Sequence, residues 1–470
     1  MYKKVKLIEV ENMELVIKNG KIVTATDIYN ADIGIENGKI TEIGKELRGD
    51  KTIDAKGMIV FPGGIDIHTH LDMPFMGAFS SDDFKTGTIA AAFGGTTSLV
   101  DFSIQSKGNS LSNAIETWRK KAEGKAVIDY GFHVAVTDAT DSVINEIPKM
   151  VKEGITSLKL FLAYKGSLMI DDGGFFKVLQ KARESGALVM VHAENGDVVD
   201  ILIKKLLDEG KTDPIYHWES RPDKTEGEAS GRAIALAEMA DAPLYIVHLT
   251  CKEALDKVRA ARDKGLPIYA ETCPQYLLLD KERYKEPNFG GAKYVMSPPL
   301  RMENDRKELW SGLINGDLQV ISTDHCPFFF KGQKDAGKGN FAKIPNGAPG
   351  IETRIPLIYT EGVLKGHFSM NKFVELVSTN PAKLFGMFPE KGTIAVGSDA
   401  DIVIFDPKKE VVLKAEDLHQ NVDYTPFEGF KVKGYPVKTI VNGKIVIDDG
   451  NFIGKPGEGK FIKRKPFKIL

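Results

Sequence analysis

Ile65-Asp-Ile-His68, followed at once by Thr69-His70, is the first of eight short apolar runs that recur through residues 60–385. After it come Thr96-Thr-Ser-Leu-Val-Asp101, Tyr130-Gly-Phe-His-Val-Ala-Val136, Ser157-Leu-Lys-Leu-Phe161 and Leu188-Val-Met-Val-His192. Leu244-Tyr-Ile-Val-His248, Ile268-Tyr-Ala-Glu271 and Gln319-Val-Ile-Ser-Thr-Asp324 complete the set. Each reads as a strand buried on both faces, the pattern of a parallel sheet covered by helices. Amphipathic stretches with start and stop signals lie between them. Ser81-Asp82-Asp83 precedes a run ending at Gly94-Gly95, and Asp141–Glu153 and Asp172–Glu184 close at Gly154 and Gly186. Thr250 and Glu253 have capping-box spacing ahead of a helix ending near Gly265. Eight strand–helix units of this kind predict an α/β fold with a (β/α)8 TIM-type barrel over residues 63–385. The open doubly wound alternative lacks a G-x-G-x-x-G after its first strand.

Outward from the barrel, the two chain ends read alike. Asn19-Gly20, Asn37-Gly38 and Asn442-Gly443 each sit between β-rich apolar runs, a strong hairpin signal because Asn-Gly tolerates the positive φ angles of a type I′ turn. Residues 394–406 add an alternating strand around Gly397-Ser398-Asp399. Residues 1–62 and 386–470 therefore predict one small β-sandwich domain assembled from both termini, with a tail. Residues 1–12, ahead of Met13, read as a loosely held extension.

Composition narrows the function. The 470 residues carry 63 Lys and Arg against 65 Asp and Glu, a net charge of −2, which offers no field for nucleic acid or an anionic membrane. Cys251, Cys273 and Cys326 are too few and scattered for a disulfide framework and read as reduced thiols of a cytoplasmic protein. No apolar run approaches the ~20 residues of a membrane span, and the N-terminus has no secretory pattern.

In a TIM-type barrel, functional groups sit at the C-terminal ends of strands. Of nine histidines, four fall there: His68 and His70 at the end of strand 1, His192 at strand 5 and His248 at strand 6. Asp324 ends strand 8, and Lys159 lies late in strand 4. Side chains two apart on a strand share a face, so His68 and His70 can reach one ion. Alone, such a pair is as readily two strand-end histidines satisfied by backbone. Together with His192, His248 and Asp324 it predicts a metal site, suited to Zn²⁺ and open to Mn²⁺, Co²⁺ or Fe²⁺. Lys159 has two readings: a lysine paired to a barrel carboxylate or, since an ammonium cannot ligate a cation, a lysine modified to an anionic carbamate. His133 reads as structural. His325 and Cys326 adjoin Asp324 but cannot all face one ion, and His217, His367 and His419 lie in loop or helical context.

Longer strings carry a resemblance. Phe61-Pro-Gly-Gly-Ile-Asp-Ile-His-Thr-His-Leu-Asp-Met-Pro74 resembles the first metal motif of the cyclic amidohydrolases, specifically dihydropyrimidinases and D-hydantoinases. Ser157–Lys165, Val191-His-Ala-Glu-Asn195, Glu271-Thr-Cys-Pro-Gln-Tyr276, Met296-Ser-Pro-Pro-Leu-Arg301 and Ser322-Thr-Asp-His-Cys-Pro327 match the same family in order. The resemblance implies a binuclear centre: His68 and His70 on one ion with Asp324, His192 and His248 on the other, and Lys159 bridging as N6-carboxylysine. A hydroxide shared by the ions opens a 5,6-dihydropyrimidine or 5-substituted hydantoin to the N-carbamoyl amino acid, and Asp324 carries its proton to the departing nitrogen. Tyr164 matches the donor to the oxyanion, Ser297 and Asn346 match backbone partners of the ring's imide-like edge, and Met73, Phe75, Phe161 and Leu168 match the wall around the ring substituent. The resemblance further implies a homotetramer or homodimer. Dihydroorotase-like relatives carry an arginine where this chain has Asp72, whose charge would repel a substrate carboxylate. Allantoinase-like hydrolysis of a cyclic ureide is the nearer alternative. A metal-free scaffold of the collapsin response mediator type is disfavoured, since all six ligand positions carry the right residue.

Overall fold

The structure is a computed structural model, and it describes residues 13–469. The extension at 1–12 lies outside the described residues. The central runs form an all-parallel eight-stranded sheet in chain order: β1 Gly64–Thr69, β2 Thr96–Ile104, β3 Asp129–Ala135, β4 Ser157–Phe161, β5 Leu188–His192, β6 Leu244–Ile246, β7 Ile268–Thr272 and β8 Val320–Ile321. All but one of their residues are buried, as continuous Val, Ile and Leu runs require.

The ring closes unusually. Between β1 and β8 the backbone contributes one bridge, Thr69 to His325, past the end of β8. Below it the seam is stitched by side chains. Asp66 accepts from the Thr323 hydroxyl at 2.6 Å and its backbone N–H at 3.2 Å. The fully buried Arg354 donates to the carbonyls of Ile65 and Ile321, both at 2.9 Å.

Two predicted strands are shorter than their sequences suggest. β6 stops at Ile246 and β8 at Ile321, so His248 and Asp324 stand two and three residues beyond the ladder. Both hold positive φ, +37° and +53°, which ends a strand and turns the side chain off its pleat. The helix after β6 starts at Lys252 with Cys251 as its N-cap and no capping box, because Thr250 spends its hydroxyl and N–H on buried Glu226. Asp141–Glu153 divides into Asp141–Ile144 and Ile147–Lys152, with Pro148 opening the second helix.

The termini build one nine-stranded mixed sheet. Met13–Val23 pairs along its first half with Gly49–Asp54 and along its second with Ile59–Pro62, which leads on to Ile402–Val412 and Lys431–Val441. The fork lets both arms enclose one core, with Ile17, Ile22, Ile33 and Ile35 from the first and Ile402, Ile404 and Ile440 from the second. Asn37-Gly38 and Asn442-Gly443 are the expected turns, with φ of +50° and +76°, and +48° and +76°. Asn19-Gly20 is not a turn. The strand runs through it with a register shift, because a Cβ at Gly20 would lie 2.5 Å from Val60 Cγ2. The run at 394–406 is strand only from Ile402, after Gly397 at φ +94°.

The tail leaves this sheet for the barrel's base, where Phe461 bridges Tyr130 and Arg464 reaches the Phe132 carbonyl. There Lys391 is saturated by Asp129 at 2.8 Å, Asp401 at 2.6 Å and Asp399 at 3.2 Å, and these charges push its ammonium well above its ordinary range against the penalty of burial.

Candidate active site

The open end of the barrel holds a cleft. Every residue singled out from sequence lines it: His68, His70, Lys159, His192, His248 and Asp324 at the floor, Tyr164, Ser297 and Asn346 on one side, and Met73, Phe75, Phe161 and Leu168 as apolar wall. Ile104, Cys326 and Gly347 also line it and were not anticipated there. Gly347 lies at φ +149°, where a Cβ would stand 2.3 Å from the Cys326 carbonyl oxygen, so only glycine lets this loop settle beside the floor.

Two groups of ligand-capable atoms meet on the floor. His68 Nε2 and His70 Nε2 each lie 3.2 Å from Asp324 Oδ1, and His192 Nδ1 lies 2.9 Å from His248 Nε2. Burial pushes His68 and His248 well below the usual imidazole range and lowers His192, which keeps the rings neutral with lone pairs free. Outer partners fix the rings. His68 Nδ1 hydrogen-bonds Glu271, which also accepts from the Tyr245 hydroxyl at 3.0 Å and His248 N–H at 3.1 Å. His192 Nε2 hydrogen-bonds Glu194 at 2.8 Å, and Arg221 stands 3.8 Å from the carboxylate's other oxygen. Burial raises Glu271 to about 8. Asp101, raised by burial to about 6, accepts from Thr69 Oγ1, Leu71 N–H and Trp118 Nε1, all at 2.8 Å, and so holds the backbone on both sides of His70.

The contact between His68 Nδ1 and Glu271 leaves His68 Nε2 facing an Asp324 carboxylate oxygen, and a cation between the two would satisfy both. His68 Nε2, His70 Nδ1 and His248 Nδ1 are buried without a hydrogen-bond partner, each costing about 1–3 kcal/mol if left so. Neutral imidazoles with a carboxylate are the donor set of a divalent transition metal, so these residues fit one. Lys159 is fully buried over the rings of Phe102 and Phe161, at 4.9 and 5.1 Å, and burial lowers its pKa to about 7. Among the described residues no hydrogen bond or ion pair engages its Nζ. At neutral pH a substantial share of it is therefore the free, nucleophilic amine, and no carboxylate is within ion-pair distance of it among the described residues.

On the opposite side, burial raises the Tyr164 phenol, which Ser297 and Asn346 partly offset, and Asn346 Nδ2 donates to Ser297 Oγ at 2.9 Å. Among the described residues no hydrogen bond engages the Ser297 carbonyl or the backbone N–H and C=O of Asn346. Tyr164, like His248 and Asp324, holds a positive φ, at +64°. Strain of about 1–3 kcal/mol per residue is thereby concentrated at this cleft.

The remaining histidines are spent elsewhere. His133 bonds Ser157 Oγ and the Ile67 carbonyl inside the barrel, and His325 bonds Asp82 at 3.0 Å and faces away from the floor. His217 is buried and donates to the Met296 carbonyl at 2.8 Å, so it supports the loop bearing Ser297. Sequence reasoning missed Glu271, Glu194 and Asp101 as partners of the floor. Glu194 had a signal, since it lies two residues after His192, the spacing that pairs His68 with His70.

Comparison with known proteins is consistent across the chain. Residues 59–446 match the amidohydrolase family, and residues 1–65 match the N-terminal domain of the urease alpha-subunit. A D-hydantoinase from Geobacillus stearothermophilus is 57% identical, covering 97% of this chain and 98% of its own, and a D-phenylhydantoinase from Escherichia coli O1:K1 / APEC is 43% identical over 97% and 99%. The crystal structure of dihydropyrimidinase from Brevibacillus agri NCHU1002 superposes with a TM-score of 0.96 at 56% identity, over 97% of this chain and all of that one.

Proposed function

The chain belongs to the amidohydrolase family, and from that premise we propose that it is a hydantoinase or dihydropyrimidinase, opening a cyclic amide by hydrolysis to an N-carbamoyl amino acid. The observation that carries the reading is the pairing, across one cleft, of a cation-demanding floor with an edge of free backbone amide groups. Two divalent ions fit the floor, Zn²⁺ foremost and Mn²⁺, Co²⁺ or Fe²⁺ as alternatives: His68, His70 and Asp324 would hold one and His192 and His248 the other. Lys159, carboxylated by CO₂ on its neutral amine, would be shared by both. Ions bound there supply Lewis acidity, which acidifies water and polarises an amide carbonyl.

The chain's own residues do the rest. The free Ser297 carbonyl and Asn346 backbone groups complement the N–H and C=O of a ring imide and place its carbonyl over the floor. Tyr164 donates its phenol proton to the oxygen that gains charge as water adds, a contribution of about 3–4 kcal/mol. Asp324 takes a proton from the attacking water and returns it to the ring nitrogen, which otherwise leaves as a poor amide anion. Met73, Phe75, Phe161 and Leu168 exclude water and contact the substituent.

The reading extends to a cytoplasmic homotetramer or homodimer. Its oligomeric part is supported by exposed Val198 and Ile201 on one outer helix, 40% and 68% accessible. Light scattering checks it.

The test is initial ring-opening of 5,6-dihydrouracil and a bulky 5-substituted hydantoin by protein prepared with divalent metal and bicarbonate. Opening of either, lost on chelation, is expected. Silence on both with two ions bound points to allantoin and other cyclic ureides. Silence without metal returns the scaffold reading.

A further inference from the structure

Lys334 is fully buried in the long segment after β8, ten residues past Asp324, and is not among the residues that line the cleft. Among the described residues no carboxylate lies within ion-pair distance of it. A buried ammonium without a counter-ion is costly, and a methionine of similar shape would avoid that cost. Its hydrogen bonds show what the side chain accomplishes. Nζ donates to the Val295 carbonyl at 2.9 Å and to the Pro345 carbonyl at 2.8 Å. These carbonyls sit two residues before Ser297 and one before Asn346, the residues that face the ring edge from two separate loops.

The tether belongs to a local lattice. Gly347 N–H also donates to the Val295 carbonyl at 3.0 Å, and His217 holds the next carbonyl, that of Met296. Arg221 Nη1, 3.2 Å from His217 Nδ1, fixes the tautomer that donates from Nε2. The chain from Val295 onward thus has two successive carbonyls held from behind, and the third, that of Ser297, is left free at the cleft. A cross-link that spans both loops sets the distance between their free groups. Hydrogen bonds to a planar amide edge tolerate little error in that distance.

We propose that Lys334 is a positioning residue for ring recognition, its tie between Val295 and Pro345 setting the spacing at which Ser297 and Asn346 grip the amide edge of the substrate. This rests on the cyclic-amide reading above. Lys334 touches neither substrate nor the floor, so its loss separates binding from turnover. In Lys334→Met the KM for hydantoin rises about tenfold, while kcat changes by less than about threefold and metal content is unchanged. N3-methylhydantoin lacks the edge N–H, and its KM stays where the wild type has it. The wild type's preference for the unmethylated ring therefore shrinks about tenfold. Lys334→Gln keeps one donor, gives an intermediate KM, and carries the test if the Met variant does not fold.

Equal losses on both rings, or a fall in kcat with KM unchanged, mark Lys334 as a general staple of the loops and overturn the assignment. So does an unaltered KM on hydantoin in both folded variants. A wild-type protein that opens no ring overturns the functional reading and this assignment together, whereas an active wild type with indifferent variants overturns the assignment alone.

Discussion

Among the described residues, two clusters bring three ligand-capable side chains within 4.8 Å: His68, His248 and Asp324 at the open end of the barrel, and Asp129, Asp399 and Asp401 at its base. They differ in what remains unspent. At the base, Lys391 binds all three carboxylates, Asn442 donates to Asp129 at 3.0 Å and to Asp401 through its N–H at 2.8 Å, and the Lys460 N–H closes on Asp129 at 2.9 Å. At the open end, His68 Nε2, His70 Nδ1 and His248 Nδ1 lack hydrogen-bond partners among the described residues, and no described carboxylate is within ion-pair distance of Lys159. The two lysines report the contrast directly: charge pushes Lys391 up, and burial pushes Lys159 down to about 7. A buried polar cluster with its bonds spent is a fastener between segments, and one with bonds to spare is built for something that arrives.

The sharpest way to break this contrast is Asp324→Asn. Ring-opening should fall about 10³-fold or more while the melting temperature of the metal-free protein stays within a few degrees, since without a cation no fold contact depends on the lost charge. Lys159→Ala should be equally silent, and turnover in either variant near the wild-type rate would sink the mechanism. Tyr164→Phe should lower kcat about 10²- to 10³-fold with metal content intact. Lys391→Met should do the reverse. Two buried carboxylates, Asp129 and Asp401, left without their cation should cost about 3–5 kcal/mol of stability, read by urea unfolding, with kcat unchanged in the folded protein. A large kcat effect there would mean the base cluster is more than a fastener.

The smallest effect is in pH. Lys334, ordinarily at 10.5, is lowered by burial to about 7. Between those values the unfolded chain holds a proton that the folded one has lost, so stability rises with pH across about 7 to 10.5. The wild type should therefore gain on Lys334→Met as the pH is raised from 7 to 9. Lys391 has the opposite sign: its raised value keeps its contribution whole below 10.5 and lets it fade only above. A Lys391→Met deficit that shrinks between pH 7 and 9 would contradict that.

The barrel and the floor were legible because strand periodicity and strand-end position are local signals: they place His68, His70 and His192 directly, and they lead to Lys159 inside its strand and to His248 and Asp324 just past theirs. Where one residue overrode the local rule, the reading slipped. Asn19-Gly20 has the letters of a turn but was drafted into a bulge against Val60. Thr250 has the spacing of a cap but is claimed by Glu226, which also pairs with Arg301 at 2.8 Å. Lys334 and Lys391 are the extreme case. Nothing in a lysine's neighbours along the chain tells that it is buried, because its partners lie in distant segments. Glu271 and Asp101 were similarly hidden, for a carboxylate that steadies a ligand looks in sequence like any other strand-end acid.

The side-chain seam between β1 and β8 has a mechanical consequence. His68 and His70 belong to one lip of that seam and Asp324 to the other, and Thr323 already hydrogen-bonds the His68 carbonyl 255 residues away. A cation gripping both lips would act as a clasp on a hoop whose own weld is a single backbone bridge. Breathing of the hoop and departure of the cation then become one motion, and amide protons along that seam, from Asp66 to His70 and from Ser322 to His325, should exchange faster than those of any other pair of neighbouring staves once the clasp is taken out.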